Sequence, residues 1–282
     1  MTKNPQCTAP KMIPFTPFEE YSKKYEHLFK ISRSDNGVVT ARFFNEEDDG
    51  SAFWDYPLHR GIGQLCHDIG QDADTSVLIL GNWGDQWLRL GPTSLEEDFE
   101  TRRWALYEHS YYDGTNMVEG LVNDVEQPTI GVISGYCVHS EIALLCDVTI
   151  MAEDAVICDP HYALGQTIPG DGIQIALQYL IGPKRANHMM LFGEEIDAQK
   201  ALELGLVSEV VPKDELYERA QELADFIAEQ PRVSTRLMSQ TLRGPLKEKI
   251  ARDLRPTFGT EMWNMLVTGV THDEAFAQMA DE

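Results

Sequence analysis

The chain has 282 residues, 43% apolar and 24% charged, which suits one large domain or two small ones and excludes a disordered chain. Lys and Arg number 23 against 46 Asp and Glu, and the resulting formal charge of −23 repels phosphate backbones and anionic lipid. General nucleic-acid binding and a membrane-surface role are disfavoured, and an acyl-coenzyme A ligand would need a local basic patch.

In chain order, the first 25 residues mix Pro, Lys and polar groups without a period and are expected to drape over the surface as an arm, with neither signal peptide nor membrane anchor. Tyr25 to Ile31 and Val38 to Phe44 flank Ser34-Asp35-Asn36-Gly37, whose Asn-Gly pair predicts a β-hairpin. Leu58, Ile62, Leu65, Cys66 and Ile69 recur at helical spacing from Pro57 to Gln71. Val77 to Leu80 is a short buried-strand run, followed by a loop with Trp83 and Trp87 that either lines an apolar pocket or fills a core. A long helix is expected from Ser94 to Val122, capped by Thr93 or Ser94. Strands follow at Pro128 to Ser134, Val148 to Met151 and Val156 to Cys158, with a short helix at Ser140 to Asp147. From Gly172 the pattern is almost wholly helical, interrupted by a strand at Leu206 to Val211. The order is that of an α/β chain: an N-terminal arm over 1–25, an α/β core over 26–211 and a helical region over 212–282.

Five cysteines (Cys7, Cys66, Cys137, Cys146, Cys158) without a CxxC pair fit reduced thiols and a cytoplasmic location. No HExxH or paired Cys–His spacing suggests a metal and no Walker loop is present, so no cofactor is expected. His27, His67, His109, His188 and His272 are isolated. The chemistry concentrates between Ile133 and Gly172, which holds His139, Glu141, His161 and Asp171 in loops broken by Gly and Pro. Two readings of the pair His161 and Asp171 stand. Asp171 either holds one imidazole nitrogen so that the other acts as a base, or it caps a helix while His161 is a buried hydrogen-bonded residue. With no GxSxG nucleophile, a histidine base would activate water.

The same segment resembles the crotonase (enoyl-CoA hydratase/isomerase) superfamily. The motifs are Glu141-Ile142-Ala143-Leu144-Leu145-Cys146-Asp147, Asp159-Pro160-His161, Gln166-Thr167-Ile168-Pro169-Gly170, Gly182-Pro183 and Ala201 to Val207. The resemblance implies a spiral of ββα units with a C-terminal helical trimerisation region, and a homotrimer or dimer of trimers. His161 stands where the hydratases carry their second glutamate, and the stretch after Gly135-Tyr136 is two residues shorter than their Gly-rich turn. These departures resemble the carbon–carbon-bond hydrolase branch, the β-diketone hydrolases of the 6-oxocamphor hydrolase type. That likeness implies His161 and Asp171 as a water-activating dyad, His139 as a second histidine, Trp54 and His59 as an upstream substrate-contacting pair and Glu261 as a C-terminal polar contact. Hydrogen-bond donors to the oxyanions would be His139, His59 and the Trp54 indole. Glu261 would either hold a carbonyl through water or assist enolate protonation, and Glu141 would either face the substrate or turn inward to orient His139. The implied substrate is a small cyclic β-diketone, cleaved by retro-Claisen attack of water to a keto acid. The alternatives are an acyl-CoA hydratase or isomerase and a non-catalytic crotonase-like subunit.

Overall fold

The computed structural model describes residues 14–47, 49–90, 99–163 and 167–269. The expected surface arm is corrected from residue 18 onward. Phe18–Lys24 forms helix α1, and the buried Tyr21 donates its hydroxyl to Asp72 at 2.8 Å, so this segment is stapled to the core. The hairpin follows as β1 (Phe29–Arg33) and β2 (Val38–Phe43), antiparallel with Phe29 opposite Phe43. Gly37 in its turn has φ +86°, and a Cβ there would lie 2.4 Å from the Asp74 carbonyl, so only glycine fits.

Four strand–strand–helix units are then laid end to end. The first adds β3 (Phe53–Trp54) and α2 (Tyr56–Gln71) to β2; Asp55 caps α2 by accepting from Leu58 N–H at 2.9 Å. The second is β4 (Val77–Asn82), β5 (Arg89–Leu90) and α3 (Phe99–Ala105), which runs on through a π-helical stretch Leu106–Tyr112, α4 (Asp113–Glu119) and a second π-helical stretch Gly120–Asp124. The third is β6 (Thr129–Ile133), β7 (Tyr136–Cys137) and α5 (Glu141–Leu144); the fourth is β8 (Val148–Ala152), β9 (Val156–Ile157) and α6 (Ile173–Ile181). The single long helix expected up to Val122 is therefore two α-helical pieces separated by a π-helical turn, and its expected cap, Thr93 or Ser94, lies outside the described residues.

The long strands form one sheet in the order β1-β2-β4-β6-β8-β11, where β11 is Glu209–Val211, and every pairing after the hairpin is parallel. The short strands β9 and β7 join β10 (Ile196–Asp197) in a smaller sheet, while β3 pairs with β5. Strands β4 and β6 are buried along their whole length, as a parallel sheet covered on both faces demands. This is the mixed α/β spiral anticipated from the motifs. Helices α7 (Pro183–Phe192), α8 (Ala198–Leu204), α9 (Leu216–Ala228), α10 (Arg232–Leu242) and α11 (Gly244–Thr268) complete the fold. Along α11 the stripe Leu246, Ile250, Leu254, Phe258, Met262 and Met265 faces the core, and Glu261 is buried beside it. Among the described residues no helix is long and apolar enough to cross a membrane.

Candidate active site

Strand β3, helices α2, α5 and α11 and the connections β7–α5 and β9–α6 converge on one buried polar cluster. His139 leaves β7 for α5 with φ 51°, a left-handed conformation that costs a non-glycine residue about 1–3 kcal/mol and is held by its surroundings. Its Nδ1 lies 2.8 Å from Asp171 Oδ2 and 3.4 Å from Glu141 Oε1. The Trp54 ring stacks on the His139 ring, centroids 4.0 Å apart at 20°, a geometry that favours the charged imidazolium. The His161 ring stands edge-on to His139 at 5.0 Å.

The structure redistributes the expected dyad. His161 Nδ1 is 2.6 Å from Asp159 Oδ1, whereas its Nε2 is 3.6 Å from Asp171 Oδ2, too far for a hydrogen bond. Asp171 instead pairs with His139 and accepts from Ile173 N–H at 3.3 Å with its other oxygen. Neither reading of Asp171 holds as expected: Gly172, not Asp171, stands at the cap of α6, and the ring that Asp171 bonds is that of His139. Asp159 was missed in the sequence; its signal is the Asp-Pro-His order, which puts a carboxylate two residues before the ring.

Glu261 reaches in from α11 and accepts from Gly170 N–H at 2.9 Å. A Cβ on Gly170 would sit 2.6 Å from the Thr257 carbonyl and 2.8 Å from Glu261 Oε2, so the helix can come this close only over glycine. Glu141 is fully buried in the same cluster, its Oε1 3.4 Å from His139 Nδ1, and neither carboxyl oxygen has a hydrogen-bond partner among the described residues.

His59 is corrected in its chemical sense. Its Nδ1 lies 3.2 Å from the His109 carbonyl, so that nitrogen carries the hydrogen and Nε2, buried and unpartnered among the described residues, is an acceptor. Burial pushes the ring down to about 4, and a neutral His59 of this tautomer has no Nε2–H to give an oxyanion. The π-helical register supplies its partner. Asp113 N–H bonds the carbonyls of Glu108 and Ser110, leaving the His109 carbonyl to meet His59. Nothing in the residue pattern announces that bond.

The two loop tryptophans divide: one fills the core and the other lies at the surface. Trp87 is fully buried beside Phe43 and donates Nε1–H to the His139 carbonyl at 3.4 Å, so it holds the His139 backbone from within the core. Trp83 is 46% exposed, packs on Phe44 and lines a separate groove with Lys30, Arg42 and Tyr217. Trp83→Ala is accordingly expected to leave turnover at the His161 cluster unchanged, within twofold in kcat/KM.

Burial alone would lower both histidines, yet the surrounding carboxylates prevail. Glu141 and Asp171 raise His139 to about 9; Asp171 and Asp159 raise His161 to about 10. For Asp171, burial would raise the carboxyl, but the His161 and His139 charges outweigh it and hold it well below the usual carboxylate range. Burial and the Asp171 charge push Glu141 and Glu261 up. Groups whose folded pKa is raised stabilise fully below their unfolded value, near 6.5 for histidine, and lose that contribution as pH rises through the folded value. The melting temperature is therefore expected to fall as pH increases from 7 to 10, read by calorimetry, with a smaller fall in His161→Asn.

Ligand atoms of His139, His161 and Asp171 lie within 4.8 Å of one another, a spacing that a divalent cation could bridge. Each imidazole would first have to give up its proton, and His139 Nδ1 is already bonded to Asp171. The arrangement reads first as a proton-handling cluster.

The family description "Enoyl-CoA hydratase/isomerase" matches residues 62–259. The chain belongs to the enoyl-CoA hydratase/isomerase family, within the crotonase superfamily. Among curated members of the family, the mitochondrial enoyl-CoA hydratase of Pongo abelii is 30% identical over 249 residues, 88% of this chain and 82% of that protein. A probable mitochondrial enoyl-CoA hydratase of Dictyostelium discoideum is 32% identical over 145 residues, and the match spans 52% of its length, so the chain spans about half of that relative. A solved β-diketone hydrolase from the cyanobacterium Anabaena sp. PCC 7120, bound to (S)-3-oxocyclohexyl acetic acid, superposes with a TM-score of 0.77 at 28% identity, covering 93% of this chain and 98% of that one.

Proposed function

We propose that this family member hydrolyses a carbon–carbon bond of a small cyclic β-diketone. The observation that carries the reading is the buried cluster in which His161 and His139 are each bonded to a carboxylate; the likeness over 93% of the chain to a protein named a β-diketone hydrolase supports it. A β-diketone offers an electrophilic ketone and, after water adds, a carbon leaving group stabilised as an enolate. His161 Nε2 takes a proton from the attacking water. The tetrahedral intermediate then collapses by breaking the bond to the central carbon, and protonation of the enolate completes a single keto acid from a ring. His139, charged and stacked on Trp54, donates to a developing oxyanion, an interaction worth about 3 kcal/mol of barrier in comparable sites.

The hydratase names of the sequence relatives, together with Glu141 beside His139, favour a second reading, hydration of an enoyl-CoA. One experiment separates them. The protein is incubated with a panel of cyclic 1,3-diketones, following loss of enol absorbance and formation of acid, and in parallel with crotonyl-CoA. Diketone cleavage that is lost in His161→Ala supports the hydrolase; hydration of crotonyl-CoA with no diketone turned over overturns it. We also propose a homotrimer or dimer of trimers, supported by the exposed apolar residues Val233, Leu237, Met238 and Leu242 on α10 and Trp263 and Val267 on α11. Light scattering should return the mass of three or six chains, and a monomer would exclude it.

A further inference from the structure

We propose that Asp159 is the positioning residue of His161, setting both its tautomer and its charge, while Asp171 serves His139; this rests on the reading of His161 as the base. Asp159 Oδ1 accepts from the His161 backbone N–H at 3.2 Å and lies 2.6 Å from the ring Nδ1, so one oxygen grips the residue twice. Pro160 between them has a ring-locked φ, which limits the freedom of this short turn and holds carboxylate and imidazole together without long-range closure. Asp159 is buried, and its Oδ2 has no hydrogen-bond partner among the described residues, so its bonding is directed at His161 alone. Asp171 lies further along the same connection between β9 and α6, bonds His139 and stops 3.6 Å short of His161 Nε2.

In neutral His161 the hydrogen therefore sits on Nδ1, bonded to Asp159, and the basic lone pair is on Nε2, the atom that meets water. The groups facing the ring are Asp159, Asp171, Glu261 and His139, with Glu141 behind His139. Asp159→Asn keeps an acceptor oxygen at Nδ1 and removes the charge. The imidazolium loses stabilisation, so the midpoint of His161 falls. The acid limb of kcat/KM moves to lower pH with it, and along such a limb each unit is tenfold. Asp159→Asn is thus expected to be about tenfold faster than the unaltered protein at pH 7 and slower at the alkaline maximum, an outcome that a merely structural aspartate would not produce. Asp159→Ala, which removes the acceptor as well, is slower at every pH.

The test pairs pH profiles on the cleaved diketone with nitrogen-15 NMR of the histidines in the substrate-free protein. Expected are an Nδ1–H tautomer for neutral His161 in the unaltered protein and in Asp171→Asn, and a midpoint at least one unit lower in Asp159→Asn. An Nε2–H tautomer in the unaltered protein, or an unmoved midpoint and acid limb in Asp159→Asn, overturns the assignment. The tautomer measurement needs no variant, so it decides even where a variant fails to fold. Since NMR uses no substrate, an absence of diketone turnover with the expected tautomer and midpoint would reject the reaction and leave the placement of Asp159 standing.

Discussion

His161→Asn is expected to lower kcat/KM for the cleaved diketone by about 10²–10⁴-fold, the range that a positioned acid or base contributes. Asparagine places an amide nitrogen near the site of Nδ1 and so keeps a donor for Asp159, which is 2.6 Å from that atom, while removing the Nε2 lone pair. The loss is therefore chemical rather than a collapse of the loop, and circular dichroism should show a folded protein. The pH profile of the unaltered protein follows from the same charges. His161, raised to about 10, must be neutral to accept a proton, whereas His139, raised to about 9, must keep its proton to donate. Activity should rise from neutral pH and peak between about 9 and 10, then fall; the two midpoints belong to the coupled pair. That optimum lies where the histidines cease to stabilise the fold, so the assay must be run well below the melting temperature at each pH. A His161→Asn protein within tenfold of the unaltered one would remove His161 as the base.

The fold was legible because its signals are local. The Asn36-Gly37 turn, the period of Leu58 to Ile69 and the apolar runs of β4, β6 and β8 each report their own element, and strands alternating with helices specify a mostly parallel sheet. Helix α1 escaped because seven residues with Tyr21 alone fully buried present no period; its anchor is a hydrogen bond to Asp72, 51 positions away. The site's residue types were legible, since His139, His161 and Asp171 crowd into one Gly- and Pro-rich segment. Their pairing was not. Which carboxylate serves which imidazole depends on a difference of about one ångström, 2.6 Å and 2.8 Å against 3.6 Å, fixed by β7, β9 and the loop before α6. The direction of the His59 hydrogen bond depends on a π-helical register that no residue spacing encodes. Trp83 and Trp87 lie four positions apart in one loop, and only tertiary packing sends one into the core and the other to solvent.

Arg243→Ala is expected to destabilise the chain by about 3–5 kcal/mol, the cost of breaking a buried ion pair from one side. Arg243 lies between α10 and α11, and its guanidinium meets Asp147 through two nitrogens while donating to the Val125 carbonyl at 2.6 Å, the Gln127 carbonyl at 2.9 Å and Thr129 Oγ1 at 3.0 Å. Asp147 in turn accepts from Thr129 N–H at 2.8 Å and Ser239 Oγ at 3.1 Å, so one clamp joins the start of β6, the end of α5 and the junction of the last two helices. Alanine strands the Asp147 carboxylate and the two carbonyls in the interior, whereas Arg243→Met with Asp147→Leu removes both charges and should recover the part of the loss that comes from the stranded carboxylate. Arg243→Lys should not, because an ammonium cannot span the carboxylate and both carbonyls in one plane. Urea unfolding of the three variants measures this directly, and a loss under 1 kcal/mol for Arg243→Ala would show that the clamp contributes little. The effect reaches the site as well, since α11 begins at this junction and carries Glu261 to Gly170 beside Asp171. Arg243→Ala should therefore reduce diketone turnover even at temperatures where the protein remains folded, and the Met/Leu pair should recover part of the turnover and part of the stability together.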